Sequence, residues 1–473
     1  MVAGIIFSLL FFVLVMLVAM TYHLRSIKES QQKEEENTQQ DFSVNISKIG
    51  GIQTFVYTCL VLTIISLIAA LYIYVKGTPW EAHLMEWLNI IVRLMHITFG
   101  IAWIGASFYF VFLENALNRT KDVREELAGN LWAVHGGGFY YLEKYKIAPQ
   151  KIPKDLHWFK YEAYFTWLSG FCLLFVVYYF NASALLIDKN VLDIAPVTGI
   201  LIGLGSFVIA WIIYDLLCKS FLIKKEKWFT VVGFIITAAF AFFYSKVFSG
   251  RAAYIHFGAM LGSIMAANVF FVIIPSQKAM VKAAREKQPL DPALGKNAGL
   301  RSLHNNYFTL PVLFVMISNH FPSTFGYKDP WLILIIFSLG AAGVKHYLNI
   351  KEKGQYSVWV MPISVLILLA AAFISAPPKN PGACNALVSI SEVNTIVQNR
   401  CVTCHSSKPT DDVYKTAPNG VMFDTPDDII RKKDLIMQRV VVTKTMPQNN
   451  KTNITQEERD KIRCWIEQGA LNK

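Results

Sequence analysis

Charge is scarce in this 473-residue chain: Asp, Glu, Lys and Arg make up 16% of it, against 54% hydrophobic residues. That balance excludes an ordinary soluble globular protein. Acids are the rarer sign, 33 against 45 Lys and Arg, for a net charge of +12. The basic excess falls in blocks between apolar runs and not on one soluble face, which argues for membrane lipid, and no nucleic acid, as the surrounding partner. The first apolar run, Met1 to about His23, has neither a basic leader nor an Ala-x-Ala-like exit, so it reads as a spanning helix and not as a cleaved signal peptide. No internal repeat is evident. Cysteine is sparse too. Of seven, Cys59, Cys172 and Cys218 lie in or beside apolar runs, where the residue serves as a small hydrophobe. The other four, Cys384, Cys401, Cys404 and Cys464, crowd a polar tail.

What is present is a series of apolar runs of roughly 20 residues, enough for a ~30 Å hydrocarbon layer. The spacing predicts about ten helices, near residues 1 to 24, 52 to 76, 84 to 116, 160 to 182, 197 to 217, 227 to 248, 252 to 276, 303 to 322, 330 to 350 and 355 to 376. The expected fold is an all-α polytopic transmembrane bundle followed by a separate C-terminal domain. Basic and charge-poor connectors alternate: the segments around Arg119 to Lys154, Lys219 to Lys227 and Lys278 to Arg301 are rich in cations, whereas 183 to 196 and 321 to 330 are poor. The positive-inside rule puts the rich ones in the cytoplasm, with the N-terminus and everything after about Ser375 outside. A bacterial inner membrane protein with an exported, periplasmic tail is the localisation this predicts. Residues 25 to 48 read as a polar linker.

Cys401-Val-Thr-Cys404-His405 is the C-x-x-C-H pattern in which two thiols add to haem vinyl groups and the following His ligates iron. No βαβ pattern suggests a thioredoxin-like site instead, and the outward placement of the tail agrees with covalent haem c. A second axial ligand is expected from Met422, Met437 or Met446. Met446 is preferred, because Pro447 stiffens the loop that would hold its thioether over the iron. The predicted last helix starts at Thr455 as N-cap with Glu458 in the capping-box position, stops at Gly469, and should pack on Arg400 and Cys401. Cys384 and Cys464 are left over in an oxidising location, which favours a disulfide between them.

Ionisable groups inside lipid are costly, so those in the apolar runs are functional candidates. Arg93 and His96, three apart, share one helix face. At 1.5 Å per residue His96 sits at roughly mid-membrane and His256 roughly 6 to 10 Å below the outer surface, with Asn268 deeper. His304 lies near an inner end. Each histidine is either a reactive group or a satisfied interhelical hydrogen-bonding partner, and an additional metal or haem b in the membrane part stays open. His135-Gly-Gly-Gly138 lacks the Lys-Ser/Thr of a phosphate-binding loop, so no nucleotide is assigned to it.

Several of these segments, in order, carry a resemblance. Glu86-Trp-Leu-Asn89, Arg93, His96 and Gly100-Ile-Ala-Trp-Ile-Gly-Ala-Ser-Phe-Tyr109 resemble the membrane-bound urate oxidases. So do Val134-His-Gly-Gly-Gly-Phe139, Tyr164-Phe-Thr-Trp-Leu-Ser-Gly170, Arg251-Ala-Ala-Tyr-Ile-His-Phe-Gly258 and Arg301-Ser-Leu-His-Asn-Asn-Tyr-Phe-Thr-Leu-Pro311. The resemblance implies an eight-helix urate-oxidising domain over residues 83 to 377 and a cytochrome c domain over 378 to 473. Residues 1 to 82 would be an addition of two helices and a linker. It further implies oxidation of urate to 5-hydroxyisourate, with electrons passed to haem c, then to a periplasmic cytochrome c or terminal oxidase, and no peroxide made. On this reading Arg93 or Arg251 attracts the urate anion, and His96, His256 or His304 removes protons. Cys401, Cys404, His405 and Met446 hold the haem. The rival classes are a non-catalytic membrane cytochrome subunit and a transporter with a tethered cytochrome.

Overall fold

The computed structural model describes residue 66 and residues 70–120, 122–149, 151–352, 357–376, 384 and 386–470. The two N-terminal candidate helices therefore lie almost wholly outside the described residues. From residue 79 on, every apolar run is a helix, the state in which each peptide group finds a partner within its own segment when lipid offers none. These are α1 (Pro79–Ala116), α2 (Tyr161–Leu174, prolonged by a π turn at Phe175–Tyr179), α3 (Pro196–Lys219), α4 (Glu226–Val247) and α5 (Gly250–Ala267). A π segment, Asn268–Ile273, joins α5 to α6 (Ile274–Arg285), and α7 (Pro292–Ser318), α8 (Pro330–Glu352) and α9 (Val360–Ile374) complete this part.

Six stretches, Trp80–Ala116, Tyr161–Tyr179, Pro196–Lys219, Glu226–Val247, Gly250–Arg285 and Pro330–Lys351, are long and apolar enough to cross a bilayer. Two of the eight helices expected here fall short of that test. α7 carries Lys296 and Arg301 in its first half, and α9 has 15 residues.

The all-α expectation needs one correction. The connector after α1 contains an antiparallel hairpin, β1 (Leu127–His135) and β2 (Gly138–Tyr145), paired from His135 opposite Gly138 to Leu127 opposite Tyr145. Gly136 and Gly137 form its turn, with φ of 58° and 80°. Two successive positive φ values are what a tight hairpin of this hand requires, and glycine accepts them without strain. The glycine run is thus a hairpin turn.

The described residues form two compact units, one comprising the chain through Arg93 with Phe171–Phe180, the other Leu94–Gly170 with Asn181–Lys473. Within the smaller unit the ring of Phe175 packs edge-on against Tyr179 and Phe180. The larger unit is organised around α5, which packs on α3, α4 and α7 and buries Tyr254, His256, Phe257, Met260 and Leu261. Close approach is built in at Gly258, where a Cβ would come within 2.5 Å of the Val315 side chain on α7.

The C-terminal module contains α10 (Ile390–Arg400), α11 (Pro426–Arg431), a π segment at Met437–Val442 and α12 (Gln456–Glu467). Its core is Val393, Val397, Ile429, Ile462 and Trp465, all nearly inaccessible. The expected capping box at Thr455 and Glu458 is formed. So is the packing of α12 on the end of α10: Arg400 Nε donates to Glu458 at 3.1 Å and its Nη1 to the Thr452 carbonyl at 2.6 Å. Cys384 and Cys464 form the expected disulfide, with Cα atoms 5.4 Å apart.

Candidate functional site

Two polar constellations stand out, one among the membrane helices and one in the C-terminal module. The first centres on Arg301 of α7, only 1% exposed. Its Nη2 donates to Asp215 Oδ1 at 2.6 Å and its Nη1 to Asn268 Oδ1 at 3.2 Å, while its cation faces the rings of Tyr214 and Trp211. Since Arg301 takes the Asn268 oxygen, the amide nitrogen of Asn268 is left to donate, and it does so to Asn305 Oδ1 at 2.9 Å and to the Tyr214 hydroxyl at 3.0 Å. That hydroxyl lies 2.8 Å from His304 Nδ1, and the imidazole stacks on Phe229. Asn268 opens the π segment, a local widening of the helix that recurs at functional positions. One guanidinium thus ties α3, α7 and the α5–α6 junction together, with its charge balanced by Asp215. Among the described residues its Nε has no hydrogen-bond partner.

Of the residues predicted from sequence, the structure brings together Asn268 and His304, bridged by Tyr214. It does not bring His256 to them. His256 lies 12 residues before Asn268 on the same helix axis, roughly 18 Å away. It is fully buried, its Nδ1 is 2.8 Å from the Ala252 carbonyl, and it sits among Phe207, Tyr244 and Phe248. His96 is elsewhere again, with Nδ1 3.0 Å from the Thr166 carbonyl and 3.3 Å from Ser169 Oγ. Gly170 makes room for it, since a Cβ there would come within 2.8 Å of the ring. Arg93 is exposed and donates to Asn89 Oδ1 one turn earlier. Arg251, in the first turn of α5, donates from Nε to Asn319 Oδ1 at 3.0 Å.

Asp215 and Tyr214 carry no role in the sequence reading, and Arg301 and Asn305, though part of its motifs, carry none of their own. The signal existed for Asp215: a carboxylate sixteen residues inside the apolar run beginning at Gly199 demands a buried cation. Among the described residues no three His, Cys, Asp or Glu side chains converge as a metal site.

The second constellation is Cys401 to His405. Cys401 ends α10, and the amides of Cys404 and His405 fold back onto its carbonyl, so the turn presents two thiols that are not bonded to each other. His405 Nδ1 donates to the Val421 carbonyl at 2.9 Å, and the Phe423 amide holds the His405 carbonyl. This selects the tautomer with Nε2 free to ligate. Burial pushes the His405 pKa down against the opposing effect of the Val421 carbonyl, favouring the neutral ring that a metal needs. Met446 and Cys401 pack against the same module core. The Met446 amide donates to the Arg439 carbonyl, and its carbonyl accepts from buried Arg459. Met422 is 39% exposed, and Met437 begins the π segment. The two unbonded thiols and the His405 tautomer fit the attachment of a c-type haem.

The loop after Met446 meets the membrane part. Gln448 Nε2 and Asn449 Nδ2 donate to the Ala184 carbonyl at 2.7 and 2.8 Å, and Asn449 Nδ2 also donates to the Ile187 carbonyl at 2.7 Å. Asn190 returns a bond to the Asn449 carbonyl at 3.2 Å, and Gly326 backs onto Thr443. These contacts fall on the charge-poor connectors, at the helix ends opposite the basic ones.

A family model described as urate oxidase N-terminal matches residues 82–376. The chain belongs to this family. The urate oxidase N-terminal match takes in α1 to α9, hence Arg93, His96, His256, Asn268 and His304, and ends before the module that holds Cys401 to His405. No curated protein and no solved structure matches the chain.

Proposed function

We propose that the protein is a membrane-bound urate oxidoreductase that converts urate to 5-hydroxyisourate and passes the electrons through haem c to a separate cytochrome c or a terminal oxidase. The observation that carries this reading is the pairing, on one chain, of a urate oxidase N-terminal segment with a C-x-x-C-H turn whose histidine is already set to ligate. The balance is urate plus water giving 5-hydroxyisourate, two protons and two electrons. Cys401, Cys404, His405 Nε2 and Met446 would hold haem c, which would supply a one-electron acceptor, so each turnover requires two successive transfers.

Proton removal needs an imidazole on the side nearest the module. His256 meets this best, because it is six residues into α5 from Gly250, roughly 9 Å along the axis, whereas Tyr214 and His304 lie towards the opposite helix ends. His256, whose Nδ1 is held on the Ala252 carbonyl, is the imidazole we assign to the proton transfer. The charge-poor connectors on which the module docks are those that the positive-inside rule places outside, so the electrons leave on the periplasmic face.

Replacing Cys401 and Cys404 by Ser tests the route. Urate turnover should stop while membrane insertion is retained. Turnover at the parental rate, with oxygen uptake and peroxide release, would show that electrons bypass the module.

A further inference from the structure

We propose that the seam between the membrane helices and the C-terminal module is an anion site, with Arg251 on one wall and Arg439 on the other, and that urate binds there as its monoanion. This rests on the urate reading above and adds a residue of the module to the substrate site.

Backbone contacts bring the segments that carry the two arginines to one seam. Gly250, next to Arg251, approaches Phe325 so closely that a Cβ would lie 2.5 Å from its carbonyl oxygen, and at Gly326 a Cβ would lie 2.7 Å from the Thr443 carbonyl oxygen. Thr443 caps the π segment Met437–Val442 that contains Arg439. On the far side, the Tyr414 hydroxyl donates to Gln448 Oε1 at 2.6 Å, and Gln448 in turn holds Ala184. Tyr414 lies within electrostatic reach of both Arg251 and Cys404. Both arginines are partly buried, and they repel each other.

Charge makes this arrangement a site. Among the described residues neither Arg251 nor Arg439 has a carboxylate partner; the nearby Asp411 and Asp412 are both taken by Lys451. Arg301, by contrast, is balanced by Asp215. Two partly desolvated guanidiniums brought together without an ion-paired carboxylate are unfavourable, and an anion between them turns that repulsion into two charge-assisted contacts. Urate, planar and singly negative at neutral pH, offers carbonyl oxygens and ring nitrogens to both forks. The location also suits the chemistry. The Arg439 carbonyl accepts the Met446 amide at 3.0 Å, so in the backbone Arg439 adjoins the loop of the proposed haem ligand.

The test is equilibrium dialysis of labelled urate against the full-length haem-loaded protein, with inorganic phosphate measured alongside. Arg251→Gln and Arg439→Gln should each weaken urate binding by about tenfold or more, and Arg439→Lys should retain part of the affinity. The haem spectrum and the Cys384–Cys464 disulfide serve as folding controls. Unchanged urate affinity in both Gln variants would overturn the seam site, whatever the fate of the urate reaction. Binding of phosphate but not urate, with the same dependence on both arginines, would uphold the anion seam and remove urate from it.

Discussion

Asp215 on α3 and Arg301 on α7 are joined by a 2.6 Å bond, with the guanidinium 1% exposed. The pair closes a network that reaches Asn268, Asn305 and Tyr214, so it holds three helices in register. Breaking one partner of a buried pair leaves the other charge uncompensated, which costs about 3 to 5 kcal/mol. Asp215→Asn should therefore lower the thermal unfolding temperature of the detergent-purified protein markedly. Asp215→Leu combined with Arg301→Met should recover much of the loss, because no buried charge then remains. An Asp215→Asn variant as stable as the parent would contradict this role.

The Cys384–Cys464 bridge closes a loop of 80 residues around the module. Replacing both by Ser should cost about 2 to 4 kcal/mol of module stability. Urea unfolding followed by the Trp465 fluorescence change measures it, and unaltered unfolding would show the bridge to be energetically silent.

Met446 is the ligand expected opposite His405. In the haem-loaded protein, Met446→Ala should abolish the sulfur-to-iron charge-transfer band of the ferric spectrum, whereas Met422→Ala and Met437→Ala should leave it. A band that survives in Met446→Ala but disappears in one of the other two would transfer the assignment.

Acid should loosen the module through Asp411. Burial alone would raise its pKa, but hydrogen bonds from Lys451 and from the Tyr414 and Val413 amides outweigh that and hold it down at about 2. An unfolded Asp titrates near 3.9. The sign is therefore that of a depressed acid: its stabilisation is full above about pH 4 and disappears as pH falls towards 2. Glu458 and Asp428 are lowered as well and add to the slope. Asp411→Asn should flatten the dependence of module stability on pH between 4 and 2, and an unchanged slope would remove Asp411 from the account.

The helices were legible in sequence because lipid leaves the backbone one local solution, and apolar length reports it directly. The Thr455 cap and the Cys384–Cys464 pair were legible for a similar reason: each is a local pattern or a matter of what remains unpaired. Partnership across helices was not. Asn268 and His304 look alike in sequence to His96 and His256, and only the packing of α3 against α5 and α7 shows that the first two share Tyr214 and the last two do not. The hairpin at 127–145 stayed hidden because its Gly136-Gly137 turn sits in a glycine run that admits several readings, and because Trp132, Val134 and Phe139 leave large apolar surfaces exposed on it. Arg439 carried no sequence signal at all, since its neighbour Arg251 is almost 190 positions away.

If the chemistry takes place in the outer half, as proposed, His256→Ala should block reduction of the haem by urate while the haem spectrum and its reduction by dithionite stay normal. Reduction by urate at the parental rate in this variant would exclude His256 as the proton acceptor.

Anaerobic addition of urate to the purified, haem-loaded protein, with the α-band of the haem on Cys401 and Cys404 followed, tests the transfer of electrons from urate to the module. The band should appear on adding urate, with one urate consumed for every two haems reduced and 5-hydroxyisourate formed. A haem that dithionite reduces but urate leaves oxidised, in protein with its disulfide and Met446 ligation intact, would contradict it.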